Sequence, residues 1–188
     1  MRLGIISDTH GCVKAWEDAL KGPFQDVDLI LHAGDVLYHG PRNPLPKQYN
    51  PSTLAAIMNE CSIPILAAKG NCDSEVDQMV LDVSLQAPYF ITEQPIGRVL
   101  VTHGHTYSED MIQALAQKFN IDIWVSGHSH VPGLQRQGST IYLNPGSPSL
   151  PKGSEPRRSV ALITQEEIQL IDLDSGRPYE NMSLKRLL

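Results

Sequence analysis

LGIISDTHG, residues 3–11, is a short aliphatic run, Leu3–Ile6, that breaks off into Asp8, His10 and Gly11. Such a run, ending in polar turn-forming residues, reads as a buried strand whose carboxyl end carries ligand-type side chains. The same arrangement recurs downstream. Apolar runs at Leu29–Leu31, Ile65–Ala68, Val99–Thr102 and Ile121–Ser126 are followed by Asp35, by Asn71 and Asp73, by His103, and by His128 and His130. In open α/β sheets the loops at the carboxyl ends of strands gather at one edge, so these side chains are expected to converge.

Three more runs, Ile141–Leu143, Val160–Thr164 and Ile168–Leu173, make the C-terminal third rich in strands. Helical spacing covers Val13–Leu20, Thr53–Asn59 behind Ser52 as N-cap, and Glu109–Phe119 behind Ser108. In the last of these Ile112, Leu115, Ala116 and Phe119 share one face. This order predicts an α/β protein with two sheets packed face to face and flanked by helices. His39–Pro51, HGPRNPLPKQYNP, carries four prolines and fits neither period, so it reads as an ordered irregular loop. No repeat or linker divides the chain, and residues 1–188 are expected to form one domain.

Composition narrows the function classes. The chain is 41% hydrophobic and 19% charged, as globular proteins are, and its net charge of −6 argues against nucleic acid as the main partner. Its richest basic run, Lys152–Arg158, is short and reads as a solvated loop. Cys12, Cys61 and Cys72 are odd in number and lack C-x-x-C spacing, which excludes a disulfide framework and points to the reducing cytoplasm. No apolar stretch approaches the ~20 residues of a membrane-spanning helix, so no membrane partner is expected.

Imidazole and carboxylate donors without thiolates suit Mn, Fe, Zn or a mixed pair. One carboxylate shared between two ions would hold them at the spacing used for in-line displacement at phosphorus, and Asp35, in the middle of the set, is the bridging candidate. Arg42 and Asn43, on the proline-rich loop, are candidate contacts for phosphate or leaving group. His105 is a candidate substrate contact, and Asp73 a candidate support for Asn71 or a neighbouring ligand. His32, inside an apolar run, reads as a satisfied core histidine.

Read in order, SDTHG at Ser7, AGDV at Ala33, KGNCD at Lys69, THGH at Thr102 and SGHSH at Ser126 resemble the five blocks of the calcineurin-like metallophosphoesterases. GDVLYHGPRN from Gly34, GNCDSEVDQM from Gly70 and LNPGS from Leu143 resemble the YfcE-like bacterial phosphodiesterases in particular. The resemblance implies a four-layer αββα sandwich, in which Asp8, His10, Asp35 and His130 hold one metal and Asp35, Asn71, His103 and His128 the other. It implies two divalent ions, most often Mn, with Fe, Ni, Zn or Mg also used, and a homodimer or higher homo-oligomer. The expected activity is phosphodiester hydrolysis by in-line attack of a metal-bridging hydroxide on a small substrate. An interaction scaffold of the same fold, a nuclease and a phosphomonoesterase are the rival readings.

One position departs from the pattern. Larger members of the family place a histidine after the asparagine, where this chain has Cys72, with Asn71 and Asp73 on either side. A thiol is a poor proton donor at neutral pH, so esters with good leaving groups, such as aryl diesters, are the expected substrates. A covalent role for Cys72 is the lesser alternative, because the metal-activated nucleophile needs no thiolate.

Overall fold

The computed structural model describes residues 1–184; the last four positions of the expected domain lie outside the described residues. The first half runs β1 (Leu3–Ile6), α1 (Val13–Lys21), β2 (Leu29–His32), α2 (Pro51–Asn59), β3 (Ile65–Ala67), α3 (Glu75–Gln78), β4 (Tyr89–Gln94) and β5 (Gly97–Thr102). The second continues with α4 (Glu109–Lys118), β6 (Ile123–Val125), β7 (Gly133–Gln137), β8 (Thr140–Asn144), β9 (Ser159–Ile163), β10 (Glu167–Asp172) and β11 (Arg177–Ser183). Strands β4, β7 and β11 and the short helix α3 come in addition to the expected elements.

The strands form two mixed sheets, a six-stranded one ordered β11-β10-β9-β1-β2-β3 and a five-stranded one ordered β4-β5-β6-β8-β7. Within the first, β1 runs parallel to β2 and antiparallel to β9. Within the second, β6 lies between parallel neighbours β5 and β8, and β4 and β7 close the edges antiparallel.

Alternation along each strand sends side chains into three separate apolar layers. Leu3 and Ile5 meet Val99, Val101, Ile123 and Leu143 between the sheets. Ile6 and Ile30 turn the other way, onto Trp16 and Ala19 of α1 and Leu54 and Met58 of α2. Leu100 and Trp124 pack outward against Ala116, Ile112 and Leu115 of α4. Three buried interfaces between four layers give the expected αββα sandwich, with helices on both outer faces.

The start of α2 differs from the sequence reading. Pro51 occupies the first helical turn, and the Asn50 side chain accepts from Thr53 N at 3.1 Å, so Asn50 rather than Ser52 is the cap. Proline's fixed φ suits the first helical position and moves the cap to the residue before it. Ser52 instead donates its hydroxyl to Asn50 Oδ1 at 2.9 Å. The loop ahead of α2 is pinned at both ends to the segment after β1. His10 Nδ1 donates to Tyr38 O at 2.8 Å, and Asn50 N donates to Gly11 O at 2.8 Å.

Candidate metal centre

Each sheet contributes to one polar cluster at the carboxyl ends of its parallel strands. Asp8 and His10 follow β1, Asp35 follows β2 and Asn71 follows β3, all on the six-stranded sheet; His103 follows β5 and His128 and His130 follow β6 on the other. Among the described non-glycine residues with left-handed backbone, five of the seven are Asp8 (φ 55°), His10 (46°), Asp35 (57°), His128 (67°) and His130 (59°). Such conformations are disfavoured for residues with a Cβ and persist where the surroundings enforce them, typically at functional sites.

The ring orientations follow from the backbone. His10 Nδ1 donates to Tyr38 O at 2.8 Å, His103 Nδ1 to Ala33 O at 2.7 Å, and His130 Nδ1 to Leu150 O at 2.7 Å. All three rings therefore present Nε2 to a common centre. His10 Nε2 and His130 Nε2 approach to 3.1 Å, which requires a shared proton or a cation between them. Facing them is Asp8 Oδ1, buried and without a hydrogen-bond partner, 3.3 Å from His130 Nε2, 3.7 Å from His10 Nε2 and 4.0 Å from His103 Nε2. Asp35 Oδ2 lies between the two histidine groups, 3.3 Å from His103 Nε2 and 3.8 Å from His10 Nε2. Asn71 Oδ1 stands 3.1 Å from His103 Nε2, and the His128 ring lies edge-on to His103 with centroids 5.2 Å apart.

The electrostatics reflect this crowding. Burial alone would raise the Asp8 carboxyl, but His10, His130 and His103 hold it well below the usual range. Burial likewise opposes charge on His103, yet Asp35 and Asp8 lift its pKa to about 9. The orphaned carboxylate oxygen and the opposed imidazole nitrogens both fit a divalent-cation centre. Asp8, His10 and His130 form one close group of donors, and Asp8, Asp35 and His103 a second.

A polar support surrounds the donors. Asp73 accepts Val36 N on Oδ1 at 2.7 Å, and Asp35 N and Gly70 N on Oδ2 at 2.8 and 2.7 Å, so it fixes the turn bearing Asp35 rather than Asn71 directly. Burial pushes the Asp73 carboxyl up to about 6 against those three amides. A Cβ at Gly70 would overlap the Asp35 carboxylate, and one at Gly127 would overlap Ser7 Oγ, so glycine is what lets these turns close on the donors. From the LNPGS turn, Ser147 and Ser149 each donate a hydroxyl to Asp8 O at 2.8 Å.

The donors open onto a cavity of about 900 Å³ lined by Asp35, Arg42, Asn43, Asn71, Cys72 and Lys152 among others. Burial, with Asp35 next, pushes the Cys72 thiol up to about 12. His105 is beside His103, with centroids 5.4 Å apart, but is not among the residues lining the cavity. Lys152 lies in an exposed loop, as expected, and also lines the cavity. The segment is stitched to the ligand loop, with Lys152 N donating to His130 O at 3.1 Å. His32 is fully buried: Thr9 Oγ1 gives its proton to Val36 O and accepts from Nε2, while Nδ1 accepts Gly34 N.

The chain is similar to known proteins over most of its length. The chain is 38% identical over 175 residues to phosphodiesterase YfcE of Escherichia coli K12, with 93% of each chain covered. It is 29% identical over 184 residues to a probable metallophosphoesterase of Methanothermobacter thermautotrophicus, covering 95% of each. The solved structure of the YfcE phosphoesterase superposes with a TM-score of 0.88 at 34% identity, covering 98% of this chain and 100% of that one. Vps29 of Entamoeba histolytica, solved with zinc, shares the fold at a TM-score of 0.67 and 18% identity, covering 98% of this chain and 100% of that one. Residues 1–167 match the calcineurin-like phosphoesterase superfamily domain, a family that implies divalent metal ions, and the chain belongs to that superfamily.

Proposed function

We propose that the chain is a two-metal phosphodiesterase acting on small phosphodiesters as one domain in the cytoplasm. Asp8, His10, Asp35 and His130 would hold one divalent ion, and Asp35, Asn71, His103 and His128 the other. The observation that carries this reading is the buried, unpartnered Asp8 Oδ1 facing three Nε2 atoms whose rings are locked by backbone carbonyls. When bound, the ions would acidify water near phosphorus and neutralise charge on the phosphoryl oxygens.

The protein's own groups supply the rest. Asp35 has Oδ1 fixed by Cys72 N at 2.8 Å, which orients the carboxylate so that it would serve as a metal donor. Asp73 holds the Asp35 turn through its backbone amide, and Arg42 and Asn43 stand at the rim of the cavity. A thiol is a poor proton donor at neutral pH, and a metal-activated nucleophile needs no thiolate, so neither role falls to Cys72. Leaving groups that depart as stable anions are therefore favoured, as in aryl diesters.

The test is hydrolysis of bis-p-nitrophenyl phosphate and p-nitrophenyl phosphate by chelator-treated protein, with Mn added back and Fe, Ni, Zn and Mg as alternatives. Mn-restored diester hydrolysis, reduced on the order of a thousandfold in Asp35→Asn, is the expected result. Dominant monoester hydrolysis would transfer the proposal to a phosphomonoesterase. No activity with any of the five ions would favour an interaction scaffold.

A further inference from the structure

Resting on the phosphodiesterase reading, we propose that the cavity rim holds a second anion site, built from Arg42 and Lys152 around Asn43, for a terminal phosphate carried by the diester substrate. The two cations come from distant segments and are brought to one cavity. Lys152 Nζ reaches Asn43 Oδ1 at 3.4 Å, and Asn43 Nδ2 donates to His39 O at 2.9 Å, so the asparagine links the lysine to the loop bearing Arg42.

Both cations sit on fixed backbone. The proline-rich loop is tied to the ligand segment by His10 and Asn50, and Cys12 Sγ donates to Lys47 O at 3.1 Å. Its Gly40 lies against Cys72, where an added Cβ would come within 2.8 Å of Sγ. Lys152 is held through its backbone amide to His130, a candidate metal ligand. The Arg42 and Lys152 side chains are exposed, so binding orders their rotamers but not the backbone that carries them.

Charge balance supplies the ligand's character. Among the described residues, the only carboxylates lining the cavity are Asp35 and Asp73. Asp35 is turned to Cys72 N and His103, and both Asp73 oxygens are taken by backbone amides. The Lys and Arg ion pairs among the described residues all lie elsewhere, at Lys14, Lys21, Arg98, Arg157 and Arg158. A simple phosphodiester carries one negative charge, which the metal centre would meet. Two unpaired cations at the rim of an acidic protein then match a second, dianionic group, and the planar fork of arginine suits phosphate.

The experiment compares Mn-loaded protein on three aryl diesters that differ only in the retained ester: ethyl p-nitrophenyl phosphate and its 2-carboxyethyl and 2-phosphoryloxyethyl counterparts. The phosphate-tailed probe is expected to exceed the ethyl probe in kcat/KM by roughly tenfold, through KM, as one or two charge-assisted hydrogen bonds would give. That ratio should drop to about twofold or less in Lys152→Met and in Arg42→Gln, return in Lys152→Arg, and shrink as salt is raised. Equal efficiency on the ethyl and phosphate-tailed probes, or a ratio unmoved by either substitution, overturns the subsite alone. A carboxylate tail preferred over phosphate overturns its assignment to phosphate. Failure of the wild-type protein to hydrolyse even the ethyl probe overturns the diesterase reading, and this inference with it.

Discussion

Leu3, Ile5, Val99, Ile123 and Leu143 fill the space between the sheets, while Asp8, His10, Asp35, His103 and His130 crown the ends of the same layers, and the two regions behave oppositely. In the apolar layer side chains alternate from extended backbone and bury hydrocarbon, each contributing on the order of 2 kcal/mol. In the polar crown four of the five donors just named are left-handed, one carboxylate oxygen lacks a partner, and two imidazole nitrogens face each other. The apolar layer thus stabilises a crown that by itself opposes folding, and a bound cation is what would relieve the opposition.

A pair of substitutions breaks that comparison with the largest expected effect. Leu143→Ala should cost about 3–4 kcal/mol, and by the same amount whether the protein is chelated or supplied with Mn, because Leu143 touches only the apolar layer. Asp8→Asn should instead remove the metal-supplied increment, about 4 kcal/mol at a thousand times Kd. Urea unfolding with and without Mn reads both; an Asp8→Asn protein that kept its Mn-dependent increment would sink the assignment of this carboxylate to the metals.

His32 gives the next effect, because it is a histidine as deeply buried as His103 but on the apolar side of the boundary. Burial depresses its pKa to about 4 from an ordinary 6.5, so the folded protein refuses a proton that the unfolded chain accepts. Its contribution is therefore present above pH 6.5 and lost as pH falls from 6.5 to about 4, a loss of about 3 kcal/mol. Unfolding free energies at pH 7 and 4 for the wild type and His32→Asn isolate it, the variant being expected to lose less. Parallel pH profiles for the two proteins would refute the assignment.

Asp73 sharpens the comparison with the smallest effect. Asparagine cannot accept all three amides that Asp73 takes from Val36, Asp35 and Gly70, since one of its side-chain atoms is a donor. Asp73→Asn should weaken Mn binding about 10–100-fold while leaving a folded protein, as titration calorimetry against Mn would show. Unaltered affinity would mean that the Asp35 turn holds without it.

Eight of the eleven strands among the described residues were legible because each is an apolar run inside a sheet or carries one into the core. The three that escaped, β4, β7 and β11, are all edge strands. YFITEQ alternates between exposed and half-buried, and GLQRQ and RPYENMS are largely solvent-facing, so no hydrophobic run marks them. The four residues of α3 are too few to show a period. The donor residues were legible for a local reason, since Asp8, His10, Asp35, His103, His128 and His130 each follow a strand within a few residues. Lys152 was not, because its place at the cavity depends on the hydrogen bond of its backbone amide to His130, a tertiary contact that no local pattern encodes.

The placement of β1 also sets an order on assembly. β1 lies between β2 and β9, its Leu3 pairs with Ile163, and His10 meets His130 across 120 positions of chain. During synthesis the strand that delivers the first two donors must wait on the order of 10–30 s for its second neighbour to be made. Throughout that wait one edge of β1 is an unpaired row of amides and carbonyls, the moment at which the nascent chain is most open to mispairing. The candidate donors at the end of β1 meet those after β6 only once the two sheets have closed, so the full set assembles late in folding.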